Sequence, residues 1–171
     1  SKGYAAVNKL GGGALLTQIH DFDYSIFLFG MPNLLFTIGG NISSLNIDVE
    51  DSVHVSSCFN YKNSPLPISI NLDYISWPSR RYIKLYGEYG TMICDLNKNI
   101  IDVFLRVSGN SLKFDFSNVS RNEIFLKELE NFIGFVKGEQ EPKVDLNEGI
   151  KSLKFALAAK SSLNKKIPIK L

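Results

Sequence analysis

The stretch that decides the fold class is residues 81–116, RYIKLYGEYGTMICDLNKNIIDVFLRVSGNSLKFDF. Its runs of valine, isoleucine, phenylalanine and tyrosine show strand-like alternation and are interrupted by short segments rich in glycine and asparagine. Alternation with a period of two is typical of strands, and turn residues between such runs indicate hairpins. Because links this short join antiparallel neighbours, the stretch predicts an antiparallel meander. The predicted strands are 81–87, 91–96, 100–107 and 111–116.

Similar patterns precede the meander. Residues 52–61 alternate apolar and polar side chains, and residues 67–76 place Ile68, Ile70, Leu72 and Tyr74 on one side of a further strand. A turn is predicted between these two strands at 63–65. Upstream, apolar residues recur every three or four positions over 14–29, which predicts an amphipathic helix. Gly30 should end that helix, and a turn at 31–33 should lead into another strand.

The last third of the chain is helical in pattern. Ser120 followed by Glu123 is typical of a capping box, which predicts a helix that ends at Gly138. Asp145 is the predicted N-cap of a second helix, and residues 167–171 form a predicted final strand. The segregation of strands and helices along the chain indicates the α+β class. The apolar stripes of the two helices are predicted to be Phe125, Leu129, Phe132 and Val136, and Leu146, Ile150, Leu153 and Leu157.

The composition limits the classes of function that the chain can have. The chain has 171 residues, of which 44% are hydrophobic and 21% charged, and this predicts one domain. A net charge of +2 gives no electrostatic case for a nucleic-acid partner or a membrane surface. Cys58 and Cys94 are widely separated and are predicted to be free thiols in a reducing compartment, the cytoplasm. No cluster of cysteine and histidine has the spacing of a zinc site, so no metal is expected.

His20 is the candidate catalytic residue. The predicted helix places it in mid-helix, with Thr17, Asp23 and Tyr24 three or four positions away and therefore on the same side. A neutral imidazole in such a group can act as a general acid or base, with a carboxylate or hydroxyl fixing its tautomer. The alternative is a buried histidine that is hydrogen-bonded to Asp23 for structure alone.

The order and spacing of several motifs resemble one family over essentially the whole chain. These are GGGALLTQIHDFDY at 11–24, LFGMP at 28–32, YGEYGT at 86–91 followed by Asp95, and the helix at 125–138. They resemble the C-terminal domain of the glucose–fructose oxidoreductase / inositol dehydrogenase (Gfo/Idh/MocA) family. The resemblance implies a dihydrodipicolinate-reductase-like fold, a large, mostly antiparallel open sheet with helices on one face. It also implies a substrate-binding domain in an enzyme that acts on a sugar or nucleotide sugar.

The resemblance assigns roles to individual residues. His20 corresponds to the family's proton-transfer histidine, and Thr17 falls where the family has an acidic residue. A threonine hydroxyl offers a hydrogen bond but not a carboxylate's charge. Asp23 and Tyr24 are then candidates for orienting the histidine or the substrate. Lys2 and Tyr4, before the glycine triplet, are weaker candidates for touching the substrate.

The resemblance also implies parts that this sequence lacks. In the family an N-terminal Rossmann domain binds NAD or NADP and supplies a catalytic lysine, but these residues contain neither GxGxxG in a βαβ unit nor Glu-Lys-Pro. We therefore expect residues 1–171 to be a single C-terminal substrate-binding and oligomerisation domain that alone binds no cofactor and is inactive. A homodimer or higher oligomer is expected through the open sheet face, with Trp77 and nearby tyrosines in the contact. The alternative is a non-catalytic dimerisation or interaction module, which Thr17 favours.

Overall fold

The computed structural model describes residues 3–171 and divides the chain into two compact units. The first unit comprises the residues up to Ile75 together with Val144–Leu171, and the second comprises Ser76–Lys143. Every strand pair in the described chain is antiparallel, and the strands form two four-stranded sheets. The predicted α+β class with antiparallel pairing is confirmed.

The first unit is built from one sheet and three helices. Two 3₁₀-helical turns, Tyr4–Ala6 and Asn8–Leu10, precede the glycine triplet. The elements are α1 (Ala14–Thr17), α2 (His20–Phe29), β1 (Leu34–Gly40), β2 (Ser52–Tyr61), β3 (Ser64–Asp73), α4 (Leu146–Lys165) and β8 (Ile169–Lys170). The strands of the sheet lie in the order β3-β2-β1-β8.

One face of this sheet carries the core. Alternate residues of β1, β2 and β3 are buried, and helices α1, α2 and α4 contact these strands. Phe155 of α4 lies edge-on to Phe22 of α2, with ring centroids 4.8 Å apart, and 6.0 Å from the ring of Phe59 in β2. Helices therefore cover one face of the sheet, as expected. The strand residues buried on that face are Leu35, Thr37, Val53, Val55, Ser57, Phe59, Ile70 and Leu72.

The hairpin between β2 and β3 differs from the expectation. β2 has the predicted bounds, but the turn is Lys62–Asn63 and not 63–65, and both residues have positive φ (50° and 62°). Two central residues with positive φ match the twist of a two-residue hairpin. The prolines at 65 and 67 belong to β3, which begins at Ser64. β3 is an edge strand, where a residue without an N–H is tolerated.

The prediction of one continuous helix over 14–29 is wrong. The chain forms α1 and α2 with a break at Gln18 and Ile19, so His20 is the first residue of α2 and not a mid-helix residue. Gln18 leaves the helical region at φ −106° and ψ 35°, and its side-chain amide donates to the carbonyl oxygen of Asp73 at 2.9 Å. No proline or glycine marks this break in the sequence. Gly30 ends α2 as predicted, and its N–H donates to the carbonyl of Ile26.

The predicted buried face of α4 is also wrong. Asp145 caps the helix through the N–H of Glu148 at 2.9 Å, as predicted, but Leu146, Ile150, Leu153 and Leu157 are exposed. The face toward the sheet is lined mainly by small residues, which let the helix approach the strands closely. Those buried residues are Ser152, Phe155, Ala156, Ala159 and Ser162.

The second unit contains the predicted meander and one long helix. Strands β4 (Tyr82–Gly87), β5 (Gly90–Asp95), β6 (Ile100–Leu105) and β7 (Ser111–Asp115) pair in sequence order. Helix α3 (Arg121–Val136) begins as predicted, since the Ser120 hydroxyl accepts from the N–H of Glu123 at 3.2 Å. Over residues 3–171, no helix combines the length and the apolarity that a membrane crossing requires.

Candidate functional site

The candidate site surrounds the glycine triplet of the first unit. Gly12 packs against the backbone carbonyls of Tyr4 and Ala5, and Gly13 packs against the carboxylate of Glu50. A methyl group on either glycine would overlap those atoms, and Gly13 also has a φ of +109°. Only glycine fits this approach. The triplet therefore joins the Tyr4–Ala6 turn, the start of α1 and residue 50 into one tight assembly.

Glu50 holds the start of α1. Its backbone carbonyl accepts from the N–H of Ala14 at 3.0 Å, and its side-chain Oε1 accepts from the N–H of Leu15 at 3.2 Å. The residue is only 8% exposed. Among residues 3–171, the Leu15 amide is the one hydrogen-bond donor to this carboxylate. A buried carboxylate with a single long hydrogen bond retains unused accepting capacity.

Asp51 fixes the loop that carries Glu50. Its fully buried carboxylate accepts from the backbone N–H groups of Ile42 (2.9 Å) and Ser43 (3.0 Å) and from the Ser43 hydroxyl. Burial alone would raise the pKa of Asp51, but these hydrogen bonds hold the pKa below its usual value. The charged carboxylate thus anchors the segment between β1 and β2 beside the glycine triplet.

Thr17 and Tyr74 form a hydroxyl pair. The Thr17 hydroxyl donates to the carbonyl oxygen of Gly13 at 2.8 Å and is in short contact with the phenol of Tyr74. The Tyr74 hydroxyl also donates to the carbonyl oxygen of Ala5 at 3.4 Å, so the two hydroxyls connect the carbonyls of Gly13 and Ala5. Burial raises the pKa of Tyr74; its bond with Thr17 opposes that shift, and the charge of Glu50 adds to it. Glu50 and Tyr74 are therefore electrostatic neighbours.

Of the other predicted site residues, Tyr4 is an electrostatic neighbour of Tyr74. His20 is exposed, and residues 3–171 give its imidazole no hydrogen bond. The side chain of Asp23 accepts from the Ser152 hydroxyl of α4 at 2.5 Å. The alternative of a buried His20 hydrogen-bonded to Asp23 is therefore wrong. Tyr24 is half-buried on α2, and Tyr4 is 63% exposed. Lys2, the remaining candidate, lies outside the described residues.

No local pattern of residues predicted Glu50 or Tyr74 as site residues. Glu50 lies 37 positions after Gly13 and Tyr74 lies 57 positions after Thr17 in the chain, and folding brings each pair together. The glycine triplet was the available clue, because consecutive glycines indicate a close backbone approach by some other group. It does not indicate which group approaches.

The glycine triplet does not fit a dinucleotide. A pyrophosphate at a glycine-rich turn is held by free backbone N–H groups at a helix N-terminus. Here the N–H groups of Ala14 and Leu15 already donate to Glu50, whose negative charge would repel a phosphate. A 3₁₀-helical turn, not a strand, precedes the triplet. Among residues 3–171, no group of three or more histidine, cysteine or acidic side chains could hold a metal ion.

The sequence matches a family model described as the oxidoreductase family, C-terminal alpha/beta domain, over residues 4–171. The chain belongs to the Gfo/Idh/MocA oxidoreductase family. The myo-inositol 2-dehydrogenase of Thermotoga maritima is 27% identical over an alignment of 171 residues, which covers 95% of this chain and 50% of that protein. The chain thus spans about half the length of this curated relative.

Solved structures of Gfo/Idh/MocA oxidoreductases share the fold. An oxidoreductase from Agrobacterium radiobacter in complex with NAD+, L-tartaric acid and magnesium has a TM-score of 0.74 at 17% identity, covering 98% of this chain and 51% of that one. The WlbA dehydrogenase from Bordetella pertussis, in complex with NADH and UDP-GlcNAcA, has a TM-score of 0.70 at 22% identity, with coverages of 94% and 46%. The UDP-N-acetylglucosamine 3-dehydrogenase GnnA from Acidithiobacillus ferrooxidans has a TM-score of 0.70 at 16% identity, with coverages of 89% and 47%.

Proposed function

We propose that this chain is the substrate-binding and oligomerisation domain of an NAD(P)-dependent oxidoreductase that acts on a sugar, a polyol or a nucleotide sugar. One observation carries the proposal: within a domain of this family, an exposed imidazole at His20 lies three residues after Thr17, whose hydroxyl pairs with that of Tyr74. The cofactor belongs to a domain outside residues 1–171, since the glycine triplet does not suit a dinucleotide. We also propose a cytoplasmic location, because Cys58 and Cys94 are free thiols, as expected.

The proposed role of His20 is proton transfer. Oxidation of a secondary alcohol to a ketone removes the hydroxyl proton together with the hydrogen on the same carbon. A neutral imidazole can accept the hydroxyl proton, and an exposed one can pass it on to solvent. Because the imidazole has no hydrogen bond from residues 3–171, it is available to a substrate hydroxyl. Asp23, Tyr24, Tyr4 and Lys2 remain proposed substrate contacts, although the side chain of Asp23 is engaged with Ser152.

The enzyme proposal is tested on the longer protein that contains this chain. We would follow the absorbance of NADH or NADPH at neutral pH while offering myo-inositol, simple hexoses and UDP-N-acetylglucosamine with either cofactor. Reduction of the cofactor with one substrate class supports the proposal. No reduction with any of them, from a protein shown to bind the cofactor, would contradict it and favour the non-catalytic interaction module.

The proposed oligomer uses the face of the first sheet that lies opposite the core. There the paired strands β1, β2 and β3 align Leu34 with Cys58 and Pro67, and Phe36 with Ser56 and Ser69. On β1, Leu34, Phe36 and Ile38 are 39%, 37% and 53% exposed, which leaves an apolar row beside small side chains. An apolar row of this kind on an open sheet is stabilised when another surface packs against it. We propose that this surface belongs to a second copy of the chain.

Oligomerisation can be measured by light scattering. The wild-type protein should have the mass of a dimer or of a higher oligomer, and Phe36→Lys should lower that mass because it places a charge in the proposed contact. Trp77, which is 93% exposed, is a second proposed contact residue, and Trp77→Ala tests it separately. A strict monomer at high concentration would contradict the proposal.

A further inference from the structure

Glu50 is a buried carboxylate that has fewer hydrogen-bond donors in residues 3–171 than its burial requires. It is 8% exposed, and residues 3–171 give its side chain one hydrogen bond, from the Leu15 N–H at 3.2 Å. By contrast, the carboxylate of the next residue, Asp51, accepts hydrogen bonds from three donors. A buried carboxylate usually needs several donors to offset the loss of its hydration. The Glu50 carboxylate therefore retains the capacity to accept a further hydrogen bond, which a ligand can donate.

The surroundings of Glu50 favour a ligand hydroxyl over a cation. Its carboxylate packs directly against Gly13, and the negative charge of Glu50 contributes to the raised pKa of Tyr74. The Thr17 hydroxyl donates to the carbonyl oxygen of Gly13 and the Tyr74 hydroxyl donates to that of Ala5, so each hydroxyl oxygen keeps a lone pair that can accept a hydrogen bond. Metal ions would require several ionised ligands, and no such cluster exists in residues 3–171. The group consists mainly of hydrogen-bond acceptors around one negative charge, which suits the O–H groups of a neutral polyol.

We propose that Glu50 supplies the acidic group of the substrate site, in place of the carboxylate absent at position 17, and that together with the Thr17 hydroxyl it accepts hydrogen bonds from hydroxyls of a polyol or sugar. Glu50 touches the substrate in this account. Tyr74 is a positioning residue, because it acts by holding the Thr17 hydroxyl. The inference rests on the proposed function and identifies the residues that recognise the substrate class.

The test uses the longer protein that contains this chain, with myo-inositol as the probe. Glu50→Gln has nearly the same shape, and its amide oxygen can still accept from Leu15, so the fold should be retained. Losing a charge-assisted hydrogen bond should raise KM for myo-inositol by about ten- to a hundredfold. KM for the nicotinamide cofactor should not change. Tyr74→Phe should raise KM for myo-inositol by a smaller factor, while the matched controls Glu139→Gln and Tyr82→Phe, both exposed in the second unit, should change neither constant.

Inositols that lack one hydroxyl separate binding from a structural role. One analogue lacks the hydroxyl that donates to Glu50. For this analogue, KM should be the same for Glu50→Gln as for the wild-type protein. If Glu50→Gln lowers the melting temperature but raises KM equally for all analogues, or changes no KM, Glu50 is structural and the inference is overturned while the enzyme proposal stands. If the wild-type protein oxidises no polyol or sugar, the proposed function fails and the inference fails with it. A large rise in KM for myo-inositol that disappears for one analogue supports it.

Discussion

The Asp51 carboxylate should be one of the strongest single contributors to the stability of the first unit. It is fully buried and accepts three hydrogen bonds, from the N–H groups of Ile42 and Ser43 and from the Ser43 hydroxyl. A hydrogen bond to a charged group contributes about 1.5–3 kcal/mol net. Asp51→Ala removes all three bonds, but these bonds are only partly buried, so water can hydrate some of the freed donors in the variant. We expect a loss of about 3–4 kcal/mol in the free energy of unfolding.

Asp51→Asn isolates the charge, because the side chain keeps its shape. The amide nitrogen cannot accept a hydrogen bond, so at least one of the three donors loses its partner. The expected loss is about 1.5–3 kcal/mol near neutral pH. The control in the same loop is Asp48→Asn. Asp48 is exposed and accepts one hydrogen bond, from the N–H of Asn8 at 2.8 Å. Asp48→Asn should therefore lower the free energy of unfolding by less than about 1 kcal/mol.

The pH dependence gives an independent check. The pKa of Asp51 is lowered in the folded protein, so the stability from its charge is fully present above the ordinary pKa of 3.8 and is lost as the pH falls through the lower, folded-state pKa. Urea unfolding followed by circular dichroism should therefore show a constant gap between wild type and Asp51→Asn near neutral pH. The gap should shrink in strong acid. A variant as stable as wild type at neutral pH, or a gap that widens on acidification, would refute the reasoning.

Two further substitutions should stabilise the protein. The buried Oγ1 of Thr37 has no hydrogen-bond partner in residues 3–171. Thr37→Val should therefore raise the free energy of unfolding by about 1 kcal/mol. A lower melting temperature for the variant would mean that the hydroxyl has a partner. Lys166 ends α4 with a φ of 58°, so Lys166→Gly should raise the free energy of unfolding by about 0.5–1 kcal/mol. Lys165 is still helical, so Lys165→Gly should lower the free energy of unfolding by about 1 kcal/mol. Urea midpoints that rank this pair in the opposite order would contradict the capping argument.

Local patterns predicted the elements well where the chemistry is local. The alternation in 52–61 gave the bounds of β2, and the capping residues Ser120 and Asp145 marked the starts of α3 and α4. The β2–β3 turn was predicted wrongly at 63–65, because proline is typical of turns. Pro65 and Pro67 instead lie in β3, an edge strand that tolerates residues without an N–H. Sequence alone does not reveal which strand is at the edge.

The errors in the helices have a common cause in tertiary packing. A stripe of leucine and isoleucine predicted the wrong buried face of α4, since the sheet instead accepts a face of alanine and serine around Phe155. The break between α1 and α2 coincides with a hydrogen bond from Gln18 to Asp73, 55 positions away. Neither the close approach nor the distant carbonyl is visible in a local pattern.

The role of His20 in the candidate site stays a prediction from the sequence. The resemblance implies that Thr17 lies at the family's acidic position, where this chain has no carboxylate. Glu50 and Tyr74 reach the site only through folding, and the glycine triplet that admits Glu50 carries no information about its partner. Such long-range neighbours set the electrostatics of the site, so the local pattern could not supply them.

The most direct test of the account is the activity of His20→Ala in the longer protein that contains this chain. His20 is exposed at the first turn of α2, so the substitution should leave the melting temperature nearly unchanged. Loss of the proton acceptor should lower kcat for oxidation of the accepted polyol or sugar by about 10²–10⁴-fold. An unchanged kcat in a well-folded variant would contradict the assignment of His20 as the proton-transfer group.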